Sequence, residues 1–101
     1  MSERPLPIAK DHPAYVGHFP GAPILPAVVL LAEALAAVER DRGISAPGWT
    51  LAQAKFTRGV TPGAELVLAC EDAPRGGVRF EIRSAEGIVA SGAFARTEGA
   101  R

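Results

Sequence analysis

The chain has 101 residues, 48% of them apolar, and its 11 basic and 11 acidic side chains give a formal net charge of zero. That length supports a single domain, residues 1–101, with apolar surface left in need of cover, and the balanced charge excludes the basic footprint of a nucleic-acid-binding protein. A single cysteine, Cys70, excludes an internal disulfide, no secretory leader pattern opens the chain, and the longest apolar run, 22–32, is far shorter than the ~20 residues of a membrane span, so a cytoplasmic address is expected.

Residues 1–7 carry two prolines and mixed charge and read as an extended lead-in or an edge segment. Residues 8–16 have the character of a short irregular strand. Pro20, Pro23 and Pro26 then forbid regular helix and stiffen a loop, since each fixes its φ and lacks an N–H. Pro26 suits the first turn of a helix, where a missing donor is harmless. From there the spacing predicts a helix to about Arg42, with Arg40, Arg42 and Gly43 as its cationic last turn and stop. That helix would be roughly 25 Å long.

Between 27 and 38 the helix is apolar on every face except at Glu33, a pattern that calls for surrounding structure. Strand-length runs over 49–58, 64–71, 78–84 and 88–96, punctuated by Pro62-Gly63, Gly76-Gly77 and Glu86-Gly87, supply it. Val78, Phe80 and Ile82 alternate with Arg79, Glu81 and Arg83, which predicts one buried and one wet face. The small residues Ala90, Gly92, Ala93 and Ala95 allow a helix or another backbone to come close. The expected class is α+β: one central buried helix wrapped by a curved antiparallel sheet of about five strands.

The chemistry concentrates before the helix, in Gly17-His18-Phe19-Pro20-Gly21-Ala22-Pro23-Ile24-Leu25-Pro26. His18 stands on a proline-braced loop and Glu33 is the lone carboxylate of the helix that follows; a base and an acid are the pair needed to move a proton and expel a hydroxyl. Glu33 has three readings, a proton donor, a structural carboxylate, or a bystander in a chain that lacks the acid. Buried without a partner, it would cost several kcal/mol. His12, just before Pro13, reads as structural. Backbone N–H groups at the helix start are donors for a carbonyl oxygen. Arg75, Arg79, Arg83 and Arg58 form a candidate basic rim, although for Arg79 and Arg83, which share one strand face, a plain solvated strand is the better reading. One cysteine and two histidines six residues apart match no metal-ligand spacing, and no phosphate-cradling glycine loop precedes a helix.

The loop closely resembles the His-Phe-Pro-Gly-x-Pro signature of the hotdog-fold β-hydroxyacyl-acyl-carrier-protein dehydratases, where it leads into the central helix. The segment Lys55-Phe56-Thr57-Arg58-Gly59-Val60-Thr61-Pro62-Gly63 is similar to a second landmark of that family, and Asp11-His12-Pro13 resembles its compact polyene and fatty-acid members. The resemblance implies the hotdog fold and elimination of water from (3R)-hydroxyacyl thioesters to give trans-2-enoyl thioesters. It implies His18 as base and the Ala27 amide as donor to the thioester carbonyl; Glu33 is the provisional acid and Gly21 a further candidate for close approach to the thioester. Lys55 and Arg58 would meet the acyl carrier protein. No cofactor is expected beyond the substrate's own phosphopantetheine arm. The family's helix acid falls fourteen residues after the loop histidine, at Ala32 here, so Glu33 stands one residue late. Family members join sheets edge to edge, which implies a homodimer or a heterodimer with a related hotdog chain. Two alternatives stay open: a catalytically incomplete subunit that pairs with an active partner, and a hotdog acyl thioesterase.

Overall fold

A computed structural model describes residues 2–9, 11–15, 24–43 and 48–97. The elements in order are β1 (Ser2–Pro5), a 3-10 turn at Pro13–Tyr15, α1 (Ala27–Arg42), β2 (Trp49–Phe56), β3 (Val67–Asp72), a second 3-10 turn at Pro74–Gly76, β4 (Val78–Ser84) and β5 (Gly87–Arg96). The strands form one antiparallel sheet in the order β1-β3-β4-β5-β2. The lead-in is an edge strand, as its prolines allow. The irregular strand expected over 8–16 is absent from the described residues there: 8 and 9 belong to no strand, and Pro13 starts a turn instead. Its amide-free proline and the bond from the Tyr15 N–H to the His12 carbonyl (3.0 Å) favour the turn.

Helix α1 begins where the prolines end. Pro26 is extended (φ −58°, ψ 141°), and its carbonyl accepts from the amides of Val29 (3.0 Å) and Leu30 (3.2 Å). The helix stops at Gly43, whose φ of 69° puts it in the left-handed region and whose N–H donates to Glu39 O at 2.8 Å. Two ion pairs, Arg4 with Asp41 and Arg42 with Asp72, tie this end to β1 and β3.

The core forms between one side of α1 and the inner face of the sheet. Leu30, Ala34, Ala37 and Val38 pack in one cluster with Leu68, Val78, Phe80, Ile82 and Phe94. The rings of Phe80 and Phe94 stack at 4.8 Å, worth about 0.5–1.5 kcal/mol beyond burial alone. The predicted alternation in β4 holds: Val78, Phe80 and Ile82 are buried, while Arg79, Glu81 and Arg83 lie on the outer face. There Arg79 bonds Glu71 (3.0 Å), and Arg83 bonds both Glu81 and Glu3. These exposed pairs contribute ~0–1 kcal/mol each and occupy both cations. Cys70 is buried, and that burial pushes its thiol pKa up, away from reactivity.

The wrapping of α1 is one-sided, which the all-apolar pattern did not foretell. Val28 is 73% exposed, Ala32 one turn later is also exposed, and Leu51 and Phe56 on β2 are 44% and 42% exposed. Register puts Leu51 and Phe56 opposite Phe94 and Ala90, on the same face of the sheet as the helix. Among the described residues, a single chain therefore leaves apolar side chains on α1 and β2 without cover, and β2 is the edge strand of the sheet.

Gly92 secures β2 at that edge. A Cβ there would stand 2.2 Å from Gln53 O, 2.9 Å from Phe80 Cζ and 3.0 Å from Ala54 Cα, and the register slips between Leu51 and Gln53, leaving Ala52 as a bulge. Gly92→Ala must push the β2 backbone outward. It is expected to cost ~3 kcal/mol, at the upper end for overpacking, and to lower Tm by ~12 °C or more. Thermal unfolding followed by circular dichroism checks this; an unchanged Tm would mean that β2 is not held this closely.

Candidate active site

The descent from loop to helix is held by a small set of contacts. The Leu25 N–H donates to Val60 O at 2.8 Å, bringing the segment after β2 against the helix start. Gly59 makes room: a Cβ there would meet Ile24 Cγ2 at 2.9 Å. On the other side, the amides of Thr57 and Arg58 share the carbonyl of Val89, which turns the chain out of the sheet after Phe56. Between the two lies a cavity of about 480 Å³ lined by Pro26, Ala27, Leu30, Phe56, Arg58 and Val60, among others.

The amides of Ala27 and Val28 begin the helix beside this cavity, and among the described residues neither has an acceptor. Free N–H groups with the positive end of the helix dipole behind them suit a carbonyl oxygen that gains negative charge. The cavity lining is otherwise mainly apolar.

The sequence candidates distribute as follows. His18 and Gly21 lie outside the described residues. Ala27 is exposed at the mouth of the cavity, and Arg58 lines it with its side chain exposed. Lys55 is exposed too, but it pairs with Ser91, which in turn pairs with Glu81, so it sits on the outer face of the sheet. Lys55 and Arg58 therefore do not form one patch. Glu33 is half-buried, not enclosed, and among the described residues it has no ion-pair partner. Because α1 is a regular α-helix from 27 to 42, Glu33 is turned by about 100° from Ala32. Ala32 takes the open side with Val28.

His12 is structural, with its Nδ1 accepting from the Ala14 N–H at 3.0 Å. No group of His, Cys, Asp and Glu among the described residues is arranged to hold a metal ion. A larger cavity, about 950 Å³, lies along β1 at the opposite edge of the sheet. Of its charged lining residues Glu3, Arg4 and Glu65, the first two are already paired, with Arg83 and Asp41, and it shares no lining residue with the cavity at the helix start. Sequence reasoning missed Phe56 and Val60 as lining residues. Both lie within the Lys55–Gly63 landmark, but nothing in their spacing says that the segment folds back on the helix.

Residues 3–93 match the model of the ApeI-like family, described as ApeI dehydratase. A 3-hydroxyacyl-[acyl-carrier-protein] dehydratase FabZ from Sodalis glossinidius is 34% identical over 96 residues, covering 82% of this chain and 63% of that protein. One from Chlamydia trachomatis is 36% identical over 91 residues, covering 79% and 53%. The chain thus spans between half and two thirds of the length of the curated relatives it matches. Among solved structures, an uncharacterized protein from Erwinia carotovora superposes with a TM-score of 0.69 at 26% identity, covering 94% of this chain and 79% of that one. The dehydratase heterocomplex ApeI:P from Xenorhabdus doucetiae gives 0.73 at 22% identity, covering 92% and 83%. One helix laid in a five-stranded antiparallel sheet, shared with these structures, is the hotdog fold. The chain belongs to the ApeI-like dehydratase family. Among the described residues no helix is long and apolar enough to cross a membrane.

Proposed function

We propose that this chain removes water from (3R)-hydroxyacyl thioesters delivered on acyl carrier protein, giving trans-2-enoyl thioesters for fatty-acid or polyene synthesis in the cytoplasm. The observation that carries the reading is the start of α1, where the Ala27 amide at the mouth of an apolar cavity and the Val28 amide beside it have no acceptor among the described residues. His18 takes the proton from the carbon next to the thioester, and the electron pair moves toward the carbonyl, whose oxygen accepts from the Ala27 N–H. The β-hydroxyl then leaves as water with a proton from a carboxylic acid, and the double bond forms. Both proton transfers are side-chain chemistry and draw on no cofactor. Gly21 would give the thioester close passage to the backbone. Arg58, at the rim, and Lys55, on the outer face, would meet the carrier. Incubating the purified chain with a 3-hydroxyacyl carrier protein and following loss of one water by mass spectrometry tests this directly. Hydrolysis to the free acid would indicate a thioesterase instead.

Pairing follows from the uncovered side chains. Val28, Leu51 and Phe56 together with the β2 edge favour a second hotdog chain joined along β2, which would bring its helix to the mouth of the cavity. In a homodimer the proton comes from Glu33 of the second copy. A second reading is favoured by one observation, Ala32 on the open side of α1 where the family carries its acid: a mixed pair, in which a related chain supplies the acid to His18. The name of the Xenorhabdus relative, a heterocomplex, is consistent with it. Sedimentation of the purified chain is expected to show a dimer; a monomer at micromolar concentration would overturn the pairing argument.

A further inference from the structure

At the end of the sheet away from the cavity, the turn that carries Arg75 lies against Arg96. The β3–β4 connection turns through Pro74, Arg75 and Gly76, closed by bonds from the Ala73 N–H to Gly77 O (2.9 Å) and from the Gly77 N–H to Pro74 O (3.2 Å). Arg75 sits in the left-handed region at φ 60°, ψ 34°, the only non-glycine residue with positive φ among the described ones. That conformation is ordinarily given to Gly or Asn, and in another residue it is strained. Strain of this kind at an exposed side chain points to a use for that side chain. Alongside, a Cβ at Gly76 would stand 3.2 Å from Arg96 Cγ, so the turn lies against Arg96. The Arg96 guanidinium is fixed from behind: it lies over the Trp49 ring at 5.4 Å, and its Nε donates to Gly48 O at 3.1 Å. Neither Arg75 nor Arg96 has a carboxylate partner among the described residues. By contrast, Arg42, Arg79 and Arg83 are all paired.

We infer that the Arg75–Arg96 corner docks an acidic protein surface, and, resting on the function proposed above, that this surface belongs to the carrier of the thioester. Two guanidinium groups on neighbouring elements, one pre-set by stacking and one held out by a strained turn, match spaced carboxylates. The corner is open and exposed at Arg75 and Gly76, which suits a protein face over a small enclosed anion. It stands at the Trp49 end of β2, about 23 Å of strand from Phe56. Two copies joined antiparallel along β2 bring the Trp49 end of one toward the Phe56 end of the other. The corner of each chain then flanks the cavity mouth of its companion.

The test compares wild type with Arg75→Glu, Arg75→Asn and the control Arg79→Gln. Substrates are a 3-hydroxyacyl carrier protein and the same acyl group on N-acetylcysteamine, which has no protein part. Arg75→Glu is expected to raise KM for the carrier-borne substrate about tenfold, an effect that fades with added salt, and to leave kcat within about twofold. Its turnover of the small thioester should match wild type. Arg75→Asn, better suited to the left-handed region, is expected to raise both Tm and the carrier KM, a combination that damage to the fold cannot produce. Arg79→Gln should alter neither KM. Equal carrier KM values in wild type and Arg75→Glu overturn the corner while leaving the dehydratase reading intact, as does equal slowing on both substrates. Competition by inorganic phosphate beyond that of chloride at matched ionic strength also overturns it, in favour of a phosphate site. A wild type that dehydrates neither substrate removes the functional reading; the corner is then judged by calorimetric titration with the carrier protein, where equal affinity of wild type and Arg75→Glu overturns it.

Discussion

Replacing His18 by alanine is expected to lower dehydration a hundredfold or more without unfolding the protein. The size follows from the role: a general base acting at the α-carbon contributes about 10²–10⁴-fold, and none of the described side chains lining the cavity is a base near neutral pH. Stability should survive because the described core is built from the sheet and the inner side of α1, and the Leu25–Val60 backbone bond holds the helix start. The measurement is kcat/KM on a 3-hydroxyacyl thioester together with a melting curve. Turnover near wild type would take His18 out of the mechanism.

Replacing Glu33 by glutamine separates the two sources of the proton. In the homodimer, Glu33→Gln is expected to cost about a hundredfold in turnover, since glutamine keeps the shape and loses the acidic proton. Melting should change little, because Glu33 has no ion pair to lose among the described residues. If the loss is less than about threefold instead, the acid comes from elsewhere, and Ala32→Asp then becomes the informative variant. It places a carboxyl on the open side of the helix, one turn from Val28, and should raise the activity of the lone chain. A rise in Ala32→Asp combined with indifference to Glu33→Gln would establish the mixed pair as the working form.

Much of the architecture was legible because it rests on local patterns. The prolines ending at Pro26, the run to Gly43 and the alternation of Val78, Phe80 and Ile82 each carry their own geometric meaning. The helix bounds and β4 came out as read, and Gly92 does admit another backbone. Strand ends were read long at 58 and early at 64, because the bend at Thr57 and Arg58 depends on their sharing the Val89 carbonyl, a long-range contact without a local signature. The site was less legible for the same reason. Phe56 and Val60 reach the cavity through the fold-back onto Leu25. The separation of Lys55 from Arg58 follows from the face of β2 that each occupies. That Ala32 and Val28 stay open is a property of what the sheet fails to cover, and an all-apolar helix cannot announce which of its sides that will be.

The uncovered apolar side chains have a consequence for how the protein must be handled by a cell. Val28, Leu51 and Phe56, exposed beside an edge strand, tie the folded state to its companion by mass action. Resistance to heat and to proteases should then climb with chain concentration, and a tenfold dilution should subtract from Tm in a way no change of buffer restores. Synthesis in stoichiometric supply with its companion becomes part of the stability of each chain. A surplus of either one is left with its stickiest surface outward, as a substrate for chaperones and proteases.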